Sequence, residues 1–108
     1  MRWVVETLNP SVDAELEALP AGLRARIARI AELIEAVGLE RVGEPHVKQL
    51  EGKLWEMRAM GPDGIARAIY MTVTGRRVVI LHAFVKKSQK TPRQALDTAR
   101  QRAKELNR

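Results

Sequence analysis

Apolar and polar positions along this chain follow two rhythms, and the change from one to the other divides it. A short opening strand is expected from Arg2 to Leu8, with Trp3 and Val5 facing one way. Val12, Leu16 and Leu19 then recur at helical spacing, and Leu23, Ile27, Ile30, Ile34 and Val37 repeat that spacing over a longer run. Asn9-Pro10 or Ser11 can open the first helix, because a short polar side chain caps free N–H groups and proline fits the first turn. Asp13 and Glu15 then sit at the positive end of its dipole. Pro20 interrupts that helix, and a second is expected from about Ala21 to Val37, with Arg24, Glu32 and Glu35 off its stripe and Gly38 as its stop. The two helices read as a hairpin.

Gly43 to Lys53 is mixed and polar, carries Pro45 and Gly52, and reads as a loop. The strand rhythm then takes over: Leu54 to Met60, Ile65 to Val73 and Arg76 to Val85, joined by Gly61-Pro62-Asp63-Gly64 and by Thr74-Gly75. Turns this short make an antiparallel meander. In the first of these strands Glu56 and Arg58 share a face with Leu54, while Trp55 and Met57 take the other, which is assigned to the core. A last helix is expected from Pro92 to about Leu106, with Thr91 as N-cap, Gln94 completing a capping box, and Leu96, Ala99, Ala103 and Leu106 as a narrow stripe. The order β-α-α-β-β-β-α predicts an α+β fold, with the helix hairpin on one sheet face and a C-terminal helix. At 108 residues, with no repeat or linker, residues 1–108 are expected to form a single domain.

Composition removes several classes of function. There is no cysteine, so a disulfide framework and a thiolate metal site are excluded, and two histidines far apart in sequence indicate no metal. No cofactor is expected. No apolar run approaches the roughly 20 residues that span a bilayer. Only Trp3 to Val5 are apolar after Met1-Arg2, too few for a signal peptide, so a cytoplasmic protein with no membrane partner is expected.

Charge adds a direction. The net charge is +6, and it is distributed unevenly. From Glu6 to Glu40 there are seven acids and three bases; from Gly64 to Leu96 there are no acids and seven bases, namely Arg67, Arg76, Arg77, Lys86, Lys87, Lys90 and Arg93. A one-sided field of this kind attracts polyanions, although a solvated surface rich in lysine has the same composition.

Three segments together resemble a known family. Leu50-Glu51-Gly52-Lys53-Leu54-Trp55-Glu56-Met57-Arg58 resembles a segment of the HigB-like toxins of the RelE/ParE superfamily, including their phage-derived branch. Arg67-Ala68-Ile69-Tyr70 is similar to that family's R-x-x-Y strand, and His82 to Pro92 (HAFVKKSQKTP) to its stretch between the last strand and the last helix. Spacing and element order agree over nearly the whole chain. Ala66 and Ala83 depart from the residues usual at those places. The resemblance implies a RelE-like fold and a toxin of a type II toxin–antitoxin system. It further implies a ribosome-dependent endoribonuclease that cuts messenger RNA, and a cognate antitoxin, expected to be a helix-turn-helix protein. Within the superfamily a ParE-type gyrase inhibitor without nuclease activity is the alternative, and an inactive nucleic-acid-binding module is another.

Metal-independent cleavage of RNA needs a base near the attacking 2′-OH, cations around the phosphorane and an acid for the departing 5′-oxygen. Arg67 stands in an otherwise apolar strand, on the face of Ile65, Ile69 and Met71; it is either a phosphate ligand or a structural arginine paired with Glu56 or a chain terminus. The Glu56-x-Arg58 pair supplies either a base and a phosphate clamp or a cross-strand ion pair. Lys86, Lys87 and Lys90, with Arg93 after them, offer RNA contacts, and a lysine of lowered pKa can act as a base. His82, read on the face of Ile80 and Phe84, is either the general acid or a core histidine. The candidate catalytic set is thus Arg67, Lys87, Glu56 and His82, and the candidate RNA-binding set is Arg58, Lys86, Lys90 and Arg93.

Overall fold

A computed structural model describes residues 2–106. The chain runs β1 (Val4–Thr7), α1 (Pro10–Glu17), α2 (Ala21–Val37), a single 3-10 turn (Leu39–Arg41), β2 (Val47–Glu51), β3 (Leu54–Gly61), β4 (Gly64–Val73), β5 (Arg77–Lys86) and α3 (Arg93–Leu106). The five strands form one sheet in the order β1-β5-β4-β3-β2, with β1 parallel to β5 and every other pair antiparallel. The α+β class, the helix hairpin and the final helix are as the sequence predicts. No helix among the described residues is long and apolar enough to cross a membrane.

The sheet separates two apolar clusters. On one face Val12, Leu19, Leu23, Ile27, Ile30 and Ile34 of the hairpin pack against Met57, Ala59, Ala68, Tyr70, Val78 and Ile80. On the other, Ala95 and Ala99 of α3 meet Leu54, Ile69, Met71, Val79 and Leu81. Small residues on α3 let its backbone approach the sheet closely, so a thin stripe is enough to seat it. At Gly61 α2 comes close to β3: a Cβ there would lie 2.9 Å from a methyl of Leu23.

Local chemistry accounts for the element ends. The Asn9 side chain accepts from the Val12 N–H, with Pro10 in the first turn of α1. Gly38, at φ 93°, stops α2 in a conformation that side chains resist. Arg76, at φ 57°, belongs to the turn, so β5 begins one residue later than its composition suggests.

Other expectations are corrected. The first strand is shorter than expected, Val4–Thr7. Residues 43–53 are not all loop: Val47–Glu51 pairs with β3 as an edge strand. An edge strand buries little, and here only Val47 is fully covered, so the polar run hides the alternation. Trp55 is not core but 37 % exposed, whereas Met57 on the same face is fully buried. Val37 is 44 % exposed, Ile34 being the last buried position of the α2 stripe. Glu35, although off that stripe, accepts the Val5 N–H at 2.8 Å and so anchors β1 to α2.

The beginning of α3 also differs. The helix starts at Arg93, not Pro92, and the Pro92 carbonyl accepts the N–H groups of Ala95 and Leu96. Thr91 is one residue too early to cap it, and its hydroxyl is drawn to the Glu56 carboxylate.

A bulge in β5 changes which residues share a face. Ile69 lies opposite His82 but Tyr70 lies opposite Ile80, so Leu81 is an extra residue. Ile80 therefore packs on the hairpin side, while His82 and Phe84 lie on the α3 side, contrary to the shared face expected for Ile80 and His82.

β1 covers only the first part of β5, and the rest of that edge is closed by side chains. Glu15 Oε1 accepts the Ala83 N–H at 3.1 Å and Arg102 Nη1 donates to the Leu81 carbonyl at 2.8 Å. Arg102 also pairs with Glu15, which is 2.9 Å from His82 Nδ1. Burial alone would raise the Glu15 pKa, but the donors Arg102, His82 and Ala83 N–H together outweigh it and hold the carboxyl below its ordinary 4.5. A depressed carboxyl stabilises the fold above its unfolded pKa, and that contribution disappears as pH falls through the folded value. Glu15→Gln is therefore expected to lower Tm at pH 7 by about 5 °C. The gap from the wild type should close on acidification below pH 4.5. A gap that stays constant across this range would contradict the assignment.

Candidate active site

Three of the sequence-selected residues come together on the α3 side of the sheet. Arg58 and Arg67 are direct cross-strand partners in the β3–β4 ladder, and Glu56 precedes Arg58 by one full strand repeat. The Glu56 carboxylate lies 3.5 Å from Arg58 Nε and 3.7 Å from Arg67 Nε. Glu56 is 1 % exposed and Arg67 is 0 % exposed, so the pair is enclosed. Charged groups seldom occupy such positions without strong polar compensation.

The compensation comes from the segment after β5. Arg67 Nη2 donates to the carbonyls of Ser88 and Gln89, and Arg58 Nη2 donates to the Gln89 carbonyl at 2.6 Å. The Thr91 hydroxyl lies 3.0 and 2.9 Å from the two oxygens of Glu56. Residues 87–91 thus form a strap across the arginines, held by backbone carbonyls in the middle and by Thr91 at the end. The Arg67 guanidinium also rests over the Phe84 ring, 5.9 Å from its centroid.

These contacts leave Arg67 incompletely served. Its Nε and Nη1 have no hydrogen-bond partner among the described residues. Burial pushes the Arg67 pKa below its ordinary value, with Glu56 opposing that shift and Arg58 adding to it. An arginine still remains charged at neutral pH. The cluster is therefore a pair of cations around one acid, with unused donor capacity on Arg67 among the described residues.

The other candidates lie around this centre. Lys86, Lys87 and Lys90 are exposed along the strap, and Arg93 is exposed at the start of α3. His82 is not brought to Glu56: it is bonded to Glu15 and stacked on Phe84 at 5.1 Å between ring centroids. Thr91, Glu15 and the carbonyls of residues 88 and 89 were not selected from sequence. Thr91 carried a local signal, but the signal was for a helix cap; backbone carbonyls carry none.

Comparison with known proteins follows the same lines. A family model described as phage-derived protein Gp49-like matches residues 14–104. No curated protein matches. An Escherichia coli RelE toxin, a double mutant in the free state, superposes with a TM-score of 0.67 at 12 % identity, covering 94 % of this chain and 98 % of that one. The archaeal RelE–RelB complex from Pyrococcus horikoshii OT3 gives a TM-score of 0.58 at 24 % identity, covering 83 % of this chain and all of that one. At these identities the likeness is one of fold.

The enclosed pair makes a stability prediction. Glu56→Gln removes the counter-charge of Arg67 and should cost about 3–5 kcal/mol in urea unfolding. The double replacement Glu56→Leu with Arg67→Met removes both charges and should recover most of that loss. Equal destabilisation by the single and double variants would show that the pairing is not what holds this region.

Proposed function

The chain belongs to the phage-derived Gp49-like family and has the RelE fold, and from these we propose that it is the toxin of a type II toxin–antitoxin system, cutting messenger RNA on the ribosome. The observation that carries this reading is the enclosed Glu56–Arg58–Arg67 cluster, whose buried guanidinium keeps unmet donors beneath a lysine-bearing strap. A strand-borne arginine pair matches the oxygens of a phosphate, and the carbonyls of residues 88 and 89 hold the places those oxygens would take.

In the proposed reaction the strap lifts and the scissile phosphate replaces its carbonyls on Arg58 and Arg67. Glu56 takes the proton of the 2′-OH, whose oxygen attacks the adjacent phosphorus. The arginines hold the charge of the phosphorane. The P–O5′ bond breaks, Lys87 gives a proton to the departing 5′-oxygen, and a 2′,3′-cyclic phosphate and a 5′-hydroxyl remain. Lys86, Lys90 and Arg93 bind flanking phosphates. His82 acts indirectly in this scheme, supporting the Phe84 ring on which Arg67 rests. No metal or cofactor enters it.

The proposed neutralising partner is a cognate antitoxin of the helix-turn-helix kind, with an acidic segment suited to a chain of net charge +6. The Pyrococcus relative is described in complex with RelB, which supports a protein partner here. The proposed compartment is the cytoplasm.

Tightly controlled expression tests the reading. Growth should arrest, with messages cut during translation, and purified protein should cut messages bound to programmed ribosomes. Arg58→Ala should lower kcat/KM by about 10²–10³, and Lys87→Ala by about 10², with circular dichroism unchanged. Intact messages with altered DNA supercoiling would replace this reading with gyrase inhibition, and a soluble but harmless chain would replace it with an inactive binding module.

A further inference from the structure

β2 stops short of the end of β3, and beyond Met57 the edge of β3 is closed only by loop and side-chain contacts. The Arg58 N–H donates to the His46 carbonyl, and Arg26 of α2 donates to the Met60 carbonyl. A groove of about 870 Å³ runs along this edge between α2 and the segment that leads into β2. Arg58 and Gln89 line it, so it opens onto the strap and onto Arg58, the cross-strand neighbour of Arg67.

Its charge and its apolar surface are both specific. Arg26, Arg29, Lys48 and Arg58 line it against two acids, Glu32 and Glu44. Arg77, Arg100 and Arg102 elsewhere are each locked to a carboxylate; Arg29 and Lys48 have no ionic partner among the described residues. Leu33 and Met60, 42 % and 56 % exposed, give the same groove apolar surface at its walls. Excess positive charge with exposed apolar side chains suits a ligand that has phosphates along one side and flat bases along the other.

We propose that this groove is the track for single-stranded RNA flanking the cleaved phosphate: Arg29 and Lys48 hold backbone phosphates, while Leu33 and Met60 meet the bases. This rests on the ribonuclease reading of the adjoining site. A strand bound at Arg58 has to leave it in some direction, and this groove has Arg58 in its lining, whereas a smaller concavity of about 240 Å³ lies away from it beside Glu51 and Arg100. The contacts are to backbone and to base faces, so the track adds affinity with little sequence preference.

Uncleavable 2′-O-methyl RNA oligomers of increasing length, read by fluorescence anisotropy across a salt series, test it. Affinity should rise with length and then level off. Arg29→Ala with Lys48→Ala should weaken the longer oligomers about tenfold and reduce the salt slope by about one unit for each cation removed. Lys104→Ala on α3 should change neither. A double variant that binds as the wild type does, or a wild type with no length dependence, would overturn the track; the first result would point to an acidic protein segment as the occupant. Cleavage on programmed ribosomes, measured in parallel, separates the two readings. A wild type that fails to cleave, yet shows length-dependent binding that the double variant loses, overturns the ribonuclease assignment and leaves the track standing.

Discussion

The polar centre on the α3 side of the sheet is arranged around one enclosed carboxylate. Glu56 stands between Arg58 and Arg67 and receives the Thr91 hydroxyl, so a single side chain links β3, β4 and the segment before α3. Removing two charges from water costs several kcal/mol for each ion, and mutual attraction offsets that only with good geometry and further hydrogen bonds. Here the geometry is loose, at 3.5 and 3.7 Å, so the strap carbonyls are required. The segment after β5 is consequently both a connector and part of the electrostatic balance.

The two faces of the sheet solve different problems. The hairpin face is an ordinary apolar core, where Ile30, Ile34, Met57 and Tyr70 interlock and α2 approaches β3 closely at Gly61. The α3 face has less apolar surface, with alanines on the helix, and part of what a larger core would supply comes from ion pairs at its margins. Arg100 bonds Glu51 of β2, and Arg102 bonds Glu15 of α1. α3 is thus fastened on both sides by arginine–carboxylate pairs, while the strap before it is held by hydrogen bonds to Arg58, Arg67 and Glu56. The sheet thus carries the arginines beneath an exposed segment held by those bonds.

Much of the fold was legible in the sequence because its signals are local. Helical spacing placed α2 to the residue, and the turn at Pro62-Asp63 and the glycine at 38 marked element ends through backbone chemistry alone. β2 was hidden because an edge strand buries only Val47 and can be polar elsewhere. The facing of His82 was misread because the bulge at Leu81 shifts alternation by one residue, and no composition rule marks that position. The candidate site was legible in part. Strand alternation put Glu56 and Arg58 on one face of their strand and Arg67 with Ile69 and Met71 on its own; the cross-strand register that joins them came from the structure. The role of Thr91 depends on a contact across 35 positions, for which the local capping pattern offered a competing and mistaken explanation.

In the proposed reaction Arg67 would combine a structural role with a chemical one. Its complete enclosure and its ion pair with Glu56 are what a structural arginine has. A purely structural arginine, however, is expected to have its donors satisfied, since each unmet N–H in a low-dielectric interior costs roughly 1–3 kcal/mol. Two nitrogens of Arg67 have no hydrogen-bond partner among the described residues, and its partners at residues 88 and 89 are carbonyl oxygens of an exposed segment. Phosphate oxygens offer the same acceptor geometry with a full negative charge, and charge-assisted bonds of that kind are about twice as strong. Under the proposed reaction the enclosed state is the resting form of a phosphate site, in which the chain's own carbonyls keep the guanidinium in place until a phosphate displaces them.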